Sequence, residues 1–115
     1  INMALERGKL SDIVVVSAGS TAGIVTVASS KKVYVKSIAA YDVGATGVAT
    51  AHVYVIPNGG SVEDSTKLYN ITLAESETAL IEPSYPIVLE TTGDQISVGA
   101  TGGDINFFIT GDKEA

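Results

Sequence analysis

Apolar residues recur at every second position along much of this chain, in short runs broken by Gly, Ser, Asn, Asp and Pro. A period of two puts alternate side chains on opposite faces of an extended backbone, so the pattern predicts half-buried strands and not helices. The alternation is cleanest past the midpoint. In Ala49–Ile56, Ala51, Val53 and Val55 share one face while Thr50, His52 and Tyr54 share the other. In Lys67–Leu73 the corresponding sets are Tyr69, Ile71 and Leu73 against Leu68, Asn70 and Thr72. Ile96, Val98 and Ala100 point inward from Gln95–Ala100, with Gln95, Ser97 and Gly99 outward. In Ile105–Thr110 the buried stripe is Ile105, Phe107 and Ile109, and Phe108 stands on the opposite face.

Extending this reading over the whole chain gives eight or nine strands at intervals of roughly ten residues, the spacing of a sandwich or barrel. The earlier ones are Asp12–Ser17, Gly23–Ser29, Lys32–Tyr41 and Val48–Ile56, and Thr78–Glu82 and Pro86–Glu90 flank a corner at Pro83-Ser84. Turns fall at Pro57-Asn58-Gly59-Gly60 and Thr91-Thr92-Gly93-Asp94, where Pro removes a ladder donor and Gly permits positive φ. Only Met3–Arg7 has helical composition, and so short a stretch does not nucleate a helix. The expected fold is all-β, an antiparallel β-sandwich whose inward stripes pack face to face. A membrane barrel would carry the opposite dressing, apolar outside and polar within.

Ile1–Ser11 precedes the periodic body and reads as an N-terminal arm, with one sandwich domain over residues 12–115. Ile1, Met3 and Leu5 alternate, so they would share a face if the segment became a strand against a partner. The arm is expected to be mobile until it finds that partner, because it buries too little to offset its ordering entropy. The alternative is an edge strand of its own domain.

Composition narrows the chemistry. The 115 residues suit a single domain. With no cysteine and one histidine, disulfides are impossible and zinc is effectively excluded. Seven basic residues against thirteen acidic ones give a net charge of -6, which disfavours nucleic acid and anionic membranes as partners. No apolar run approaches the roughly 18 residues of a spanning helix, and no signal peptide is visible. The first residue is Ile1, which implies residues upstream of it.

Catalytic constellations are missing. His52 lies mid-strand with no G-x-S-x-G elbow to serve. Glu63-Asp64 and Glu75 with Glu77 sit in turn-rich loops where solvated acids are the default. Gly59-Gly60 and Gly102-Gly103 lack the following Lys-Ser/Thr of a phosphate loop. Scattered Asp42, Asp94, Asp104 and Asp112 form no calcium-loop series. No enzyme activity, metal or cofactor is therefore expected. Binding through aromatic side chains remains, and Tyr54 and Phe108 are the expected interface residues, each standing opposite its strand's aliphatic core face.

Val33–Asp42 (Val-Tyr-Val-Lys-Ser-Ile-Ala-Ala-Tyr-Asp), Val53–Gly60 and Leu68–Ala74 carry a resemblance, continued by Pro86–Glu90, Gly93–Val98 and Ile105–Gly111. Together they resemble small all-β virion structural proteins of tailed bacteriophages, of the head decoration (cement) or tail accessory type. The likeness covers about residues 30–112. It implies a jelly-roll-like sandwich, no catalytic residues, and a place in a virion assembled in the bacterial host cytoplasm. The partners it implies are the major capsid protein or another virion protein, and further copies of the chain as a homotrimer. Two alternatives stand beside capsid decoration: a tail or neck accessory protein, and a carbohydrate-binding module that stacks sugars on Tyr34, Tyr54 or Phe108.

Overall fold

A computed structural model describes residues 5–28, 31–43 and 47–114, and these form ten strands and one turn of 3-10 helix. In chain order the strands are β1 (Leu5–Lys9), β2 (Val14–Val16), β3 (Thr21–Thr26), β4 (Val33–Asp42) and β5 (Ala49–Ile56). They continue as β6 (Lys67–Leu73), β7 (Thr78–Ile81), β8 (Ile87–Leu89), β9 (Gln95–Thr101) and β10 (Ile105–Glu114). One sheet of six is ordered β1-β10-β4-β7, with β2 also on β10 and β8 also on β4; the other, of four, is ordered β3-β9-β5-β6. Every pairing is antiparallel. The fold is the expected antiparallel β-sandwich. Among the described residues no helix is long and apolar enough to cross a membrane.

The period-two stripes become the core. Ile38, Ile105, Phe107 and Ile109 of the six-stranded sheet face Val53, Ile96 and Val98 of the other, all at 0–1% exposure. The register read for the last strand is therefore the observed one, with Phe107 inward and Phe108 outward.

Strand β4 is not a uniform ribbon. Val33 and Val35 are buried at odd positions, then Ile38, Ala40 and Asp42 at even ones. The change of phase is a bulge, since Thr110 pairs with Ser37 but Gly111 with Val35, leaving Lys36 as the extra residue. The bulge brings the Tyr34 carbonyl so close to Gly111 that a Cβ there would collide with its oxygen. Gly111→Ala is expected to lower stability by about 1–3 kcal/mol or more, because the obstacle is backbone that cannot swing aside. An unchanged denaturant midpoint would refute this account of the bulge.

The N-terminal segment corrects the expectation of an arm. Leu5–Lys9 is strand β1, registered on β10 from Leu5 opposite Glu114 to Lys9 opposite Thr110. Leu10 and Ser11 extend the contact by donating to the Ile109 carbonyl at 2.8 and 3.3 Å. Two features concealed this. All five β1 side chains are exposed, so no apolar stripe marks the strand, and β10 continues through Gly111-Asp112, a pair that reads as a turn. Ile1 and Met3, two of the expected interface residues, lie outside the described residues. Leu5, the third, is 52% exposed at the sheet edge. Strand β1 is held by backbone bonds worth about 0.5–1.5 kcal/mol each, against an ordering cost of about 1–2 kcal/mol per residue. Its amides are expected to exchange with solvent far faster than those of β4 and β9. Equal protection in native-state hydrogen exchange would contradict that balance.

Candidate functional site

The two outer faces of the sandwich are dressed differently. On the four-stranded sheet the face is mostly polar and tied by its own side chains, with Leu68 of β6, 51% exposed, its uncovered apolar residue. His52 Nε2 and Thr101 Oγ1 share a hydrogen bond at 2.9 Å, and Thr50 and Thr72 hydroxyls approach to 3.4 Å across the β5–β6 pair. Tyr54 belongs to this face but is only 7% exposed. The Lys67 ammonium stands 5.8 Å from its ring centre, the His52 ring packs 6.3 Å away, and Gly99 leaves room beneath it. Strand alternation assigned Tyr54 the correct side and missed this cover, which comes from the neighbouring strands. Its ring is therefore not available as the wet contact surface that the sequence led us to expect.

Burial, then the charge of Lys67, pushes the His52 imidazole below its ordinary pKa of 6.5, with Asn70 hydrogen bonding opposing the shift. A neutral imidazole is thus the form the fold prefers. Its contribution is complete above about 6.5 and is lost progressively as the pH falls below that value, where the unfolded chain takes up the proton more readily. Thermal melts between pH 7.5 and 5 are expected to show an acid-side loss that His52→Gln removes. If wild type and variant had parallel profiles over that range, His52 would not be its source.

The outer face of the six-stranded sheet is open and apolar over one half. The register lines up Val15, Asn106, Tyr41 and Thr78 across β2, β10, β4 and β7, with Phe108, Ala39 and Leu80 in the next row. Val15 and Leu80 are 60% and 58% exposed, and Ile13, just before β2, is 65% exposed. Ile13, Tyr41 and Phe108 border a shallow depression of about 200 Å³ with Ala39 and Asn106 on its floor. The Oδ1 atom of Asn106 is shielded from solvent and accepts no hydrogen bond. Phe108 therefore lies where the sequence placed it, half-buried on the outward face.

Further along the same face the dressing becomes charged. A second depression of about 330 Å³ runs from Phe108 and Thr110 to Arg7, Lys9 and Lys36. Lys36 Nζ lies 2.7 Å from the buried Asp112 carboxylate and Arg7 Nε lies 3.5 Å from it. The Lys36 hydrogen bond leads the set of contacts that hold the Asp112 carboxyl below its ordinary pKa. The bulge at Lys36 thus carries an ion cluster that joins β1, β4 and β10.

Ile13, Val15 and Leu80 were not singled out from sequence, yet a signal was present. Ile13-Val14-Val15-Val16 and Leu80-Ile81 are consecutive apolar residues in strands of a sandwich, and consecutive apolar residues make both faces of a strand apolar. Among the described residues no group of three His, Asp or Glu gathers to hold a metal ion.

No protein-family model matches the chain, and neither does any curated protein sequence. Solved structures do. One is of Bacillus endospore appendages, described as a novel family of disulfide-linked pili, at 18% identity and TM-score 0.45 over 96% of this chain and 90% of that one. Another is the T13 viral particle of infectious bursal disease virus, at 10% identity and TM-score 0.52 over 96% of this chain and 30% of that one. The Gt strain of the same virus matches at 12% identity and TM-score 0.45, again over 30% of its chain. This chain spans about a third of the viral chains it matches. What it shares with the T13 particle chain is a fold, the antiparallel β-sandwich.

Proposed function

We propose that the protein is a non-enzymatic structural subunit of a bacteriophage virion, a capsid decoration protein that seats its six-stranded sheet on the head surface as a homo-oligomer. One observation carries the reading: the outer face of that sheet leaves Ile13 and Val15 uncovered at β2 and Leu80 at β7, with Phe108, Ala39 and Tyr41 between them, while the outer face of the other sheet is mostly polar and tied by its own contacts, with Leu68 its exposed apolar residue. A contiguous apolar patch on an otherwise acidic protein fits a surface that another protein covers. The sequence resemblance to small virion proteins agrees with it, and so does a fold shared with a chain of a viral particle. The absence of cysteine suits assembly in a reducing cytoplasm, and separates this chain from any assembly that depends on disulfides. The carbohydrate-module alternative loses Tyr54 as its platform, because the ring is buried. The test is sedimentation of the purified protein with phage heads stripped of accessory proteins, beside light scattering of the protein alone. Co-sedimentation and a trimer mass are expected. A monomer at high concentration that stays in the supernatant would overturn the proposal.

A further inference from the structure

The exposed turn at Pro57-Asn58-Gly59-Gly60 carries chemistry that assembly does not use. We infer that Asn58 is a site of spontaneous deamidation, and that the reaction loosens the end of the four-stranded sheet where this turn is tied to the turn at Thr91-Thr92-Gly93-Asp94. Of the four asparagines in the chain, Asn58 alone precedes a glycine. The Gly60 N–H donates to the Pro57 carbonyl at 2.8 Å, which makes Asn58 and Gly59 the central residues of a tight turn. Gly59 has a φ of 85°, a backbone state that glycine takes without steric cost. Both residues are exposed. Among the described residues no acceptor takes the Gly59 N–H. Beyond its chain neighbours, no atom lies within 4 Å of where a Cβ would stand on Gly59. The nitrogen is thus free to lose its proton and to close on the Asn58 side chain.

The only reactants are the chain and water. The deprotonated Gly59 nitrogen attacks Asn58 Cγ, and the new N–Cγ bond completes a five-membered succinimide, an intramolecular closure favoured by proximity. The Cγ–Nδ2 bond breaks, and Nδ2 takes up a proton and leaves as ammonia. Water then opens the ring. Attack at Cγ breaks the N–Cγ bond and gives aspartate. Attack at the main-chain carbonyl breaks the peptide bond to Gly59 and gives isoaspartate, whose backbone runs through Cγ and is one methylene longer.

The consequence follows from what Asn58 touches. Its N–H donates to Asp94 Oδ1 at 3.1 Å, and the Thr91 N–H donates to Oδ2 of the same carboxylate at 3.0 Å. Its side chain lies across Gly93, so close that a Cβ there would collide with it. The Gly93 N–H donates to the Val27 carbonyl at 3.1 Å, and the Val27 N–H to the Asp94 carbonyl at 2.9 Å. Three segments therefore meet around Asn58. A carboxylate at that position repels the Asp94 carboxylate on which the junction depends, and the isoaspartate product also lengthens the turn.

The test incubates the full folded chain in warm, mildly alkaline buffer, and follows deamidation by peptide mass spectrometry with methyltransferase labelling of isoaspartate. Asn58 is expected to convert at least about tenfold faster than Asn70 or Asn106, which precede the bulkier Ile71 and Phe107. Asn58→Gln should abolish the fast conversion, because its longer side chain would have to close a six-membered ring. Asn58→Asp reports the consequence without incubation. It should lower the melting temperature by a few degrees and speed hydrogen exchange at the Val27 and Gly93 amides, while the amides of β10 keep their protection. If the urea-unfolded chain converts at Asn58 and the folded chain does not, the site is overturned. If Asn58→Asp leaves Val27 and Gly93 as protected as in the wild type, the loosening is overturned.

Discussion

Phe107→Ala is expected to destabilise the domain by about 3–5 kcal/mol, a large part of the total stability of a chain this size. The side chain is 0% exposed, in the first half of β10 between Ile105 and Ile109, each also 0% exposed. It faces a layer built from Val53, Ile96 and Val98, also fully or almost fully buried. Their β-branched side chains have few rotamers with which to fill a hole, so most of the cavity will persist. The adjacent Phe108→Ala provides the control, because the same atoms are removed from the outward face. That change should cost much less in folding and act on association instead. Denaturant melts of the two variants measure the difference, and a larger loss at Phe108 would mean the β10 register is shifted by one residue.

Leu80→Asp carries the second large effect, on assembly and not on folding. Leu80 is 58% exposed in β7 and sits across from Ala39, in the row that ends at Phe108. A carboxylate there remains hydrated in the free protein, so the melting temperature should stay within the small range of surface substitutions, about 0.5 kcal/mol. In a covered interface the same carboxylate would be stripped of water without a partner, which costs several kcal/mol. Head binding should therefore fall by at least about a hundredfold. A variant that folds and still co-sediments normally would place the contact elsewhere.

How much was legible from sequence differed between the body and its ends. The eight or nine strands of the body were visible because Val, Ile, Thr and Tyr alternate against polar residues, and a one-residue slip in such a strand would invert its faces. Strand β1 was legible only as the alternative reading, an edge strand of its own domain, and for a physical reason. Its stabilisation comes from backbone hydrogen bonds to β10 and from the contact between Arg7 and Asp112, neither of which leaves an apolar period. The phase change in β4 was hidden likewise, since only the pairing of Gly111 with Val35 reveals that Lys36 is the inserted residue. For the candidate site, alternation gave the sides of Tyr54 and Phe108 but not their cover. Lys67 reaches Tyr54 from the adjacent strand at its own bulge, where Tyr54 pairs with Lys67 and Leu68 is skipped. Phe108 keeps part of its exposure because its neighbour on β4 is the small Ala39.

A reconstruction of a decorated head, at a resolution that traces side chains, tests most directly whether the six-stranded sheet is the assembly face. Leu80, Val15 and Phe108 are expected against the head lattice, with His52 and Thr101 of the other sheet turned to solvent. A density map that places His52 and Thr101 at the contact, and leaves Leu80 and Val15 in solvent, would contradict the account.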